Sequence, residues 1–178
     1  MKSQEKIIKF EIFSIILVSI LGVLLHFVFE WSNSNPVVGA FSNVNESTWE
    51  HLKLLFYPML ISTIIGFFYL SKSVPTFLCA RVFGIISSMV ATVILFYTYT
   101  GILGTNVDFL NISIFFISVI LGEYISYRLM ISSFNCDNFK AIVFLSILLF
   151  CFILFTYFPP KIGLFKDPIS EKYGLIKN

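Results

Sequence analysis

Five stretches of this chain run for about 20 residues each with almost no charge, the length a helix needs to cross a bilayer. They are Ile12–Phe29, Leu52–Leu70, Phe77–Thr98, Asn111–Met130 and Ala141–Phe158. A helix rises about 1.5 Å per residue, so each stretch covers the ~30 Å hydrocarbon core. Lipid offers no hydrogen bonds to a peptide group, so such segments are expected as helices packed together. The predicted fold is therefore all-α, a polytopic membrane bundle of about five transmembrane helices. Their predicted bounds are 7–29, 46–71, 77–99, 109–131 and 140–158, followed by a tail over 159–178, all in one domain.

Composition supports this reading and excludes others. Hydrophobic residues make up 57% and charged residues 12%, against about 45–50% and 25% in soluble domains. Mean hydropathy is +0.90. A net charge of +2, with no basic run carrying interleaved aromatics, argues against nucleic acid as a partner. No Walker, dinucleotide-binding or nucleophile-elbow pattern occurs, which disfavours nucleotide-driven and serine-hydrolase roles. The expected partner is the lipid bilayer, and the expected location the plasma membrane, crossed several times. The first span starts with Lys2, Lys6 and Lys9, but it is too long for a signal-peptide core, and the small residues Val38-Gly39-Ala40 lie far beyond it. It is expected to stay attached.

Lysine and arginine sort the links. Three lysines precede the first span; Lys72 follows the second, with Arg81 just inside the third; Lys140 follows the fourth, with Arg128 near its end. Glu30–Glu50 and Gly101–Leu110 contain no Lys or Arg. The positive-inside rule then puts the N-terminus in the cytoplasm and, after five crossings, the C-terminus outside. The tail lysines Lys161, Lys166, Lys172 and Lys177 run against this, offset in part by Asp167 and Glu171. Cys79 and Cys136 fall near the cytoplasmic side and Cys151 mid-span, with no CxxC, so the cysteines are expected to be structural filler without an outer disulfide. The sequons at Asn45 and Asn111 sit too close to a membrane boundary for glycosylation.

On that topology the polar chemistry gathers at the outward mouth. Ser19, Gly22, His26 and Glu30 share one face of the first helix at steps of three and four. The segment Asn43–Lys53 writes two capping boxes, Asn43-x-x-Glu46 and Ser47-x-x-Glu50, of which one can start the helix. Trp49 reads as an interfacial anchor near Lys53. The outer cluster is thus His26, Glu30, Asn45, Glu46, Trp49, Glu50, His51, Lys53, Tyr97 and Asp167. Two imidazoles beside carboxylates suit a divalent metal such as zinc, with His26, His51 and Glu50 as ligands, or a proton-handling pair. No HExxH is present. Pro159 and Pro160 end the last helix, and the apolar Ile162, Leu164 and Phe165 predict a tail folded back over the rim, with Lys161 or Lys166 reaching Glu46 or Glu50.

In the other half, Glu123 lies about 12 Å inside the fourth helix by helix rise. A lone carboxylate at such depth costs about 2.5–3.5 kcal/mol on insertion scales, so an ion pair with Arg81 is expected, Arg128 completing the set. Small residues mark close helix contacts: Ser118, Gly122 and Ser126; Gly84, Ser88 and Thr92; Ser62 and Gly66.

The motifs Val44-Asn-Glu-Ser-Thr-Trp-Glu-His-Leu-Lys-Leu54, Phe96-Tyr-Thr-Tyr-Thr-Gly101 and Phe158-Pro-Pro-Lys-Ile-Gly-Leu-Phe-Lys-Asp-Pro168 resemble a family of small bacterial integral-membrane proteins of unknown function. That resemblance implies a standalone bundle in the plasma membrane and brings no activity with it. Three functions stay open on the residues alone: a pocket for an ion or small ligand, a membrane-embedded metal-dependent hydrolase, and an accessory or scaffold subunit of a membrane complex. With no internal repeat, a transport role would call on a homodimer for its second half.

Overall fold

The computed structural model describes residues 2–132 and 136–175, so Lys177 and the end of the tail lie outside the described residues. Five helices are long and apolar enough to cross a membrane. They are α1 (Lys2–Trp31), α3 (Thr48–Leu70), α4 (Phe77–Leu103), α5 (Asp108–Met130) and α6 (Asn138–Tyr157), with a short helix α2 (Pro36–Gly39) in the first link. Among the described residues there is no strand, only an isolated bridge between Lys166 and Tyr173. The helices show their large apolar side chains on the outside too: Ile16, Ile20, Phe68, Ile94, Ile120 and Phe150 are all exposed. That surface suits acyl chains and would be costly in water.

Local chemistry explains the boundaries. At α3 the N-cap is Ser47, whose Oγ accepts the Glu50 N–H at 3.4 Å, while the Ser47 N–H goes to Asn45 Oδ1 rather than to Glu50, so the second box is only half formed. Helix α2 was not expected, although its signal was present, since Asn35 Oδ1 accepts the Val37 N–H at 2.9 Å and Pro36 occupies the first turn. Helix α4 ends where Gly104 turns left-handed at φ 67°. Pro58 lies inside α3 without ending it.

The small-residue stripes are where backbones meet. Helices α4 and α5 form the most extensive pair. A Cβ on Gly122 would lie 2.6 Å from the Gly84 carbonyl oxygen and closer still to Ser88 Oγ. Backbone cannot move aside as a side chain can, so Gly122→Ala is expected to lower stability by about 1–3 kcal/mol. A falling thermal midpoint in detergent measures this; Gly101→Ala, where the added carbon meets nothing within 4 Å, is expected to leave it unchanged.

Three expectations are corrected at the ends of the bundle. Cys79 and Cys136 are joined in a disulfide across 57 residues, with Cα atoms 6.2 Å apart. The link into α6 crosses over the start of α4, where Asn138 Nδ2 also donates to the Pro75 carbonyl at 3.0 Å; no sequence spacing announces such a crossing. At the opposite end the tail does fold back. Phe165 is buried, its ring 4.7 Å from Trp49 and 5.4 Å from Phe155, and the Leu175 N–H donates to the Thr156 carbonyl at 3.0 Å. Trp49 is consequently not an interfacial anchor but the centre of an aromatic stack that includes Phe152. Neither Lys161 nor Lys166 pairs with Glu46 or Glu50: Lys166 pairs with Glu171 at 3.5 Å, and Glu50 already has a nearer cation in its own helix.

Candidate functional site

The rim is built on a buried lysine. Lys53, fully buried in α3, donates to Glu50 Oε2 at 2.6 Å, to the Gly39 carbonyl at 2.8 Å and to the Ser42 carbonyl at 3.1 Å. Glu50 also accepts the Val44 N–H at 3.1 Å, and Tyr57 donates to the Ala40 carbonyl at 2.7 Å. Asn45 accepts the Ser47 N–H and donates to the Gly174 carbonyl, both at 2.9 Å. The link between α2 and α3 is thereby stitched down as a cap, tied to α3 below and to the tail beside it.

That cap carries Glu46 toward the two imidazoles. His26 comes from the last turns of α1 and His51 from the first turns of α3, with ring centroids 5.5 Å apart. Glu46 Oε2 lies 3.4 Å from His51 Nε2. One donor atom each from His26, Glu46 and His51 falls within 4.8 Å of the others. Each imidazole also has a second partner. His51 Nδ1 lies 3.1 Å from the Ser47 carbonyl, to which it donates in the Nδ1-protonated tautomer. Asn43 sits 3.2 Å from His26 Nδ1. With its amide oxygen toward His26, Asn43 accepts that ring N–H while its nitrogen donates to the carbonyls of Leu25 at 3.3 Å and His26 at 3.0 Å. Both rings are thus held through Nδ1, which turns Nε2 into the available donor, the usual arrangement behind a metal-ligating histidine.

The sequence-predicted residues divide around this triad. Glu50 does not face the imidazoles; its engagement by Lys53 leaves Glu46 as the carboxylate beside them. Glu30 and Asp167 line a cavity of mixed polar and apolar walls, about 240 Å³, next to His26 and Glu46, though both Asp167 oxygens already bind its own turn, through the Ile169 N–H and the Ser170 hydroxyl. Tyr97 is exposed, away from the rim cluster. The tyrosine that organises the mouth is Tyr99, whose hydroxyl lies 2.8 Å from Asn106 Oδ1 and 2.5 Å from Asn111 Oδ1 and gives its single proton to one of them. It was missed because two residues along a helix turn the side chain by about 200°.

The second charged cluster lies toward the other end of the bundle. Arg81, fully buried, forms a bidentate pair with Glu123, one arm through Nη2 at 3.0 Å to Oε1 and the other from Nη1 to Oε2. Its Nε donates to Thr63 at 3.1 Å, and Ser14 donates to Glu123 at 2.8 Å. The third member is not Arg128, which lies over the Tyr124 ring and donates to its hydroxyl at 2.9 Å. It is Glu11 of α1, 3.2 Å from Arg81 Nη1 and accepting from Ser126 at 3.0 Å. Four helices, α1, α3, α4 and α5, therefore meet on one guanidinium.

These features define the class: an all-helical bundle with five helices of membrane-spanning length, an ion-paired polar core in one half and a histidine–carboxylate rim at the other. The chain belongs to a family of unknown function (DUF6512), whose members it matches over residues 1–175. No curated protein and no solved structure matches it.

Proposed function

We propose that this is a multi-pass plasma-membrane protein whose outward rim binds a divalent metal ion of the zinc class through His26, Glu46 and His51. The observation that carries this reading is the convergence of three donors from two helices and the cap, all within 4.8 Å of one another. Zinc takes imidazole and carboxylate ligands at about 2.0–2.2 Å, which puts tetrahedral donors about 3.4 Å apart. Glu46 Oε2 and His51 Nε2, 3.4 Å apart, already have that spacing, and the other separations, up to 4.8 Å, would close on binding. Three protein ligands leave a fourth position open, the pattern of catalytic rather than structural zinc sites. That open position supports metal-dependent hydrolysis as the second reading, with Glu30 as the carboxylate we assign to general-base work; Glu50, committed to Lys53, is unsuited to it.

Elemental analysis of the purified full-length protein, combined with a competitive zinc titration, tests the site. Stoichiometric zinc is expected in the wild type and none in His26→Ala or His51→Ala. Asn43→Ala, which removes the support behind the His26 ring together with two bonds to α1 carbonyls but no ligand, is expected to weaken zinc by about 10–100-fold. A wild type that takes up no zinc, or histidine variants that keep it, would overturn the proposal.

A further inference from the structure

Beside the triad opens a cleft of about 590 Å³ between α1, α3 and α5, inside the range of about 300–1,000 Å³ typical of small-molecule sites. Phe115 of α5 packs on Gly22 of α1 across it: a Cβ added to Gly22 would lie 2.5 Å from the Phe115 ring. The space therefore suits a compact molecule rather than a long chain. Among the described residues no Lys or Arg lines this cleft or the cavity of about 240 Å³ next to it. The acids there are Glu46 and Asp108 in the cleft, with Glu30 and Asp167 in the adjoining cavity. Helices α1 and α4 end at this face while α3 and α5 start there, so their dipoles offset one another and the carboxylates set the sign. The walls add the ring faces of Phe27, Phe96, Phe115 and Phe116. Thr48, only 9% exposed, lines the same cleft, and its hydroxyl makes no hydrogen bond among the described residues. A hydroxyl so placed is costly until a ligand engages it.

We infer that the cleft binds a compact primary amine in its ammonium form. The cation faces Glu46, Asp108 and the Thr48 hydroxyl, and the alkyl or aryl body lies against the phenylalanine rings. An ammonium group carries three donors and no acceptor, which matches a wall of carboxylate and hydroxyl oxygens. The ring faces attract the same charge, and burial of the apolar body adds to it. A ligand with an anionic head would meet like charge at every ionised acid. Of the polar groups named for the amine only Glu46 belongs to the zinc triad, so the inference goes beyond the metal reading and does not depend on it.

Calorimetric titration of the chelator-treated full chain in detergent compares hexylamine with hexanol and hexanoate, which share its apolar body and differ in charge. At about pH 8 an alkylamine is protonated and an ordinary imidazole neutral. Saturable one-to-one binding is expected for hexylamine, at least about tenfold weaker binding for hexanol, and none for hexanoate. Asp108→Asn is expected to weaken hexylamine about tenfold or more, and Thr48→Val about two- to tenfold. Both substitutions keep the side-chain shape, and partition into the micelle is common to all variants, so the differences read the cleft. Hexanol or hexanoate binding as tightly as hexylamine would overturn the inference, as would two variants that bind hexylamine like the wild type. A zinc titration of the same preparation separates the two readings. Hexylamine binding by a protein that takes up no zinc upholds the amine site and removes the metal; zinc uptake by a protein that ignores hexylamine does the reverse.

Discussion

Arg81→Ala is expected to destabilise the bundle by about 3–5 kcal/mol, the cost of leaving buried partners without their counter-charge. Two carboxylates, Glu11 and Glu123, face that guanidinium from α1 and α5, both nearly fully buried, together with Ser14, Ser62 and Thr63. Truncation would strand both acids in a region too apolar to solvate them. Arg81→Lys should recover only part of the loss, because an ammonium cannot reproduce the fork that holds Glu123 with two parallel bonds. The acids are not equivalent. Glu123 receives both arms of the fork and the Ser14 hydroxyl, whereas Glu11 receives one arm and Ser126. Glutamine keeps the shape of either acid, so the ranking follows from the bonds each one loses. Glu123→Gln is therefore expected to cost more than Glu11→Gln. Unfolding midpoints in detergent across the four variants give the ranking, and equal losses for the two glutamines would contradict it.

Lys53→Met should rival that effect at the other end, again about 3–5 kcal/mol. The ammonium is the only group bonded to both the Gly39 and Ser42 carbonyls among the described contacts, and it neutralises Glu50, itself 2% exposed. Methionine fills the space but leaves a buried carboxylate without its counter-charge and two carbonyls without donors. The stitches across the cap should then open, seen as faster hydrogen exchange at Ala40–Val44. Because Asn43 and Glu46 ride on that cap, zinc affinity should fall in the same variant although no ligand has changed. Pairing Lys53→Met with Glu50→Leu removes the stranded charge and is expected to restore most of the stability but not the zinc affinity. Retention of both properties by Lys53→Met alone would show that the cap is held by something else.

What the sequence disclosed follows from which forces act locally. Membrane thickness acts on each span separately, so five helices and most of their bounds were readable from charge-free runs. The Arg81–Glu123 pair was readable too, because a deep carboxylate needs a cation from the same half. Glu11 was not: although the predicted helix 7–29 contains it, it follows the lysines of the N-terminus like an interfacial residue, and only the packing of α1 against Arg81 and Ser126 shows it buried. Glu46 and Glu50 were indistinguishable as candidate ligands, since both lie beside His51 in sequence. The choice between them is made by Lys53, whose burial depends on the unforeseen helix α2 turning Gly39 and Ser42 over it. The cysteine bridge depends on where one link crosses another helix, a matter of packing with no signature in spacing.

The bridge between Cys79 and Cys136 closes α4 and α5 into a covalent ring, and the backbones of Gly84 and Gly122 lock that ring along its length. Those two helices are therefore the part of the bundle least free to separate, and a reductant that opens the bridge would leave them joined only by side-chain and backbone packing.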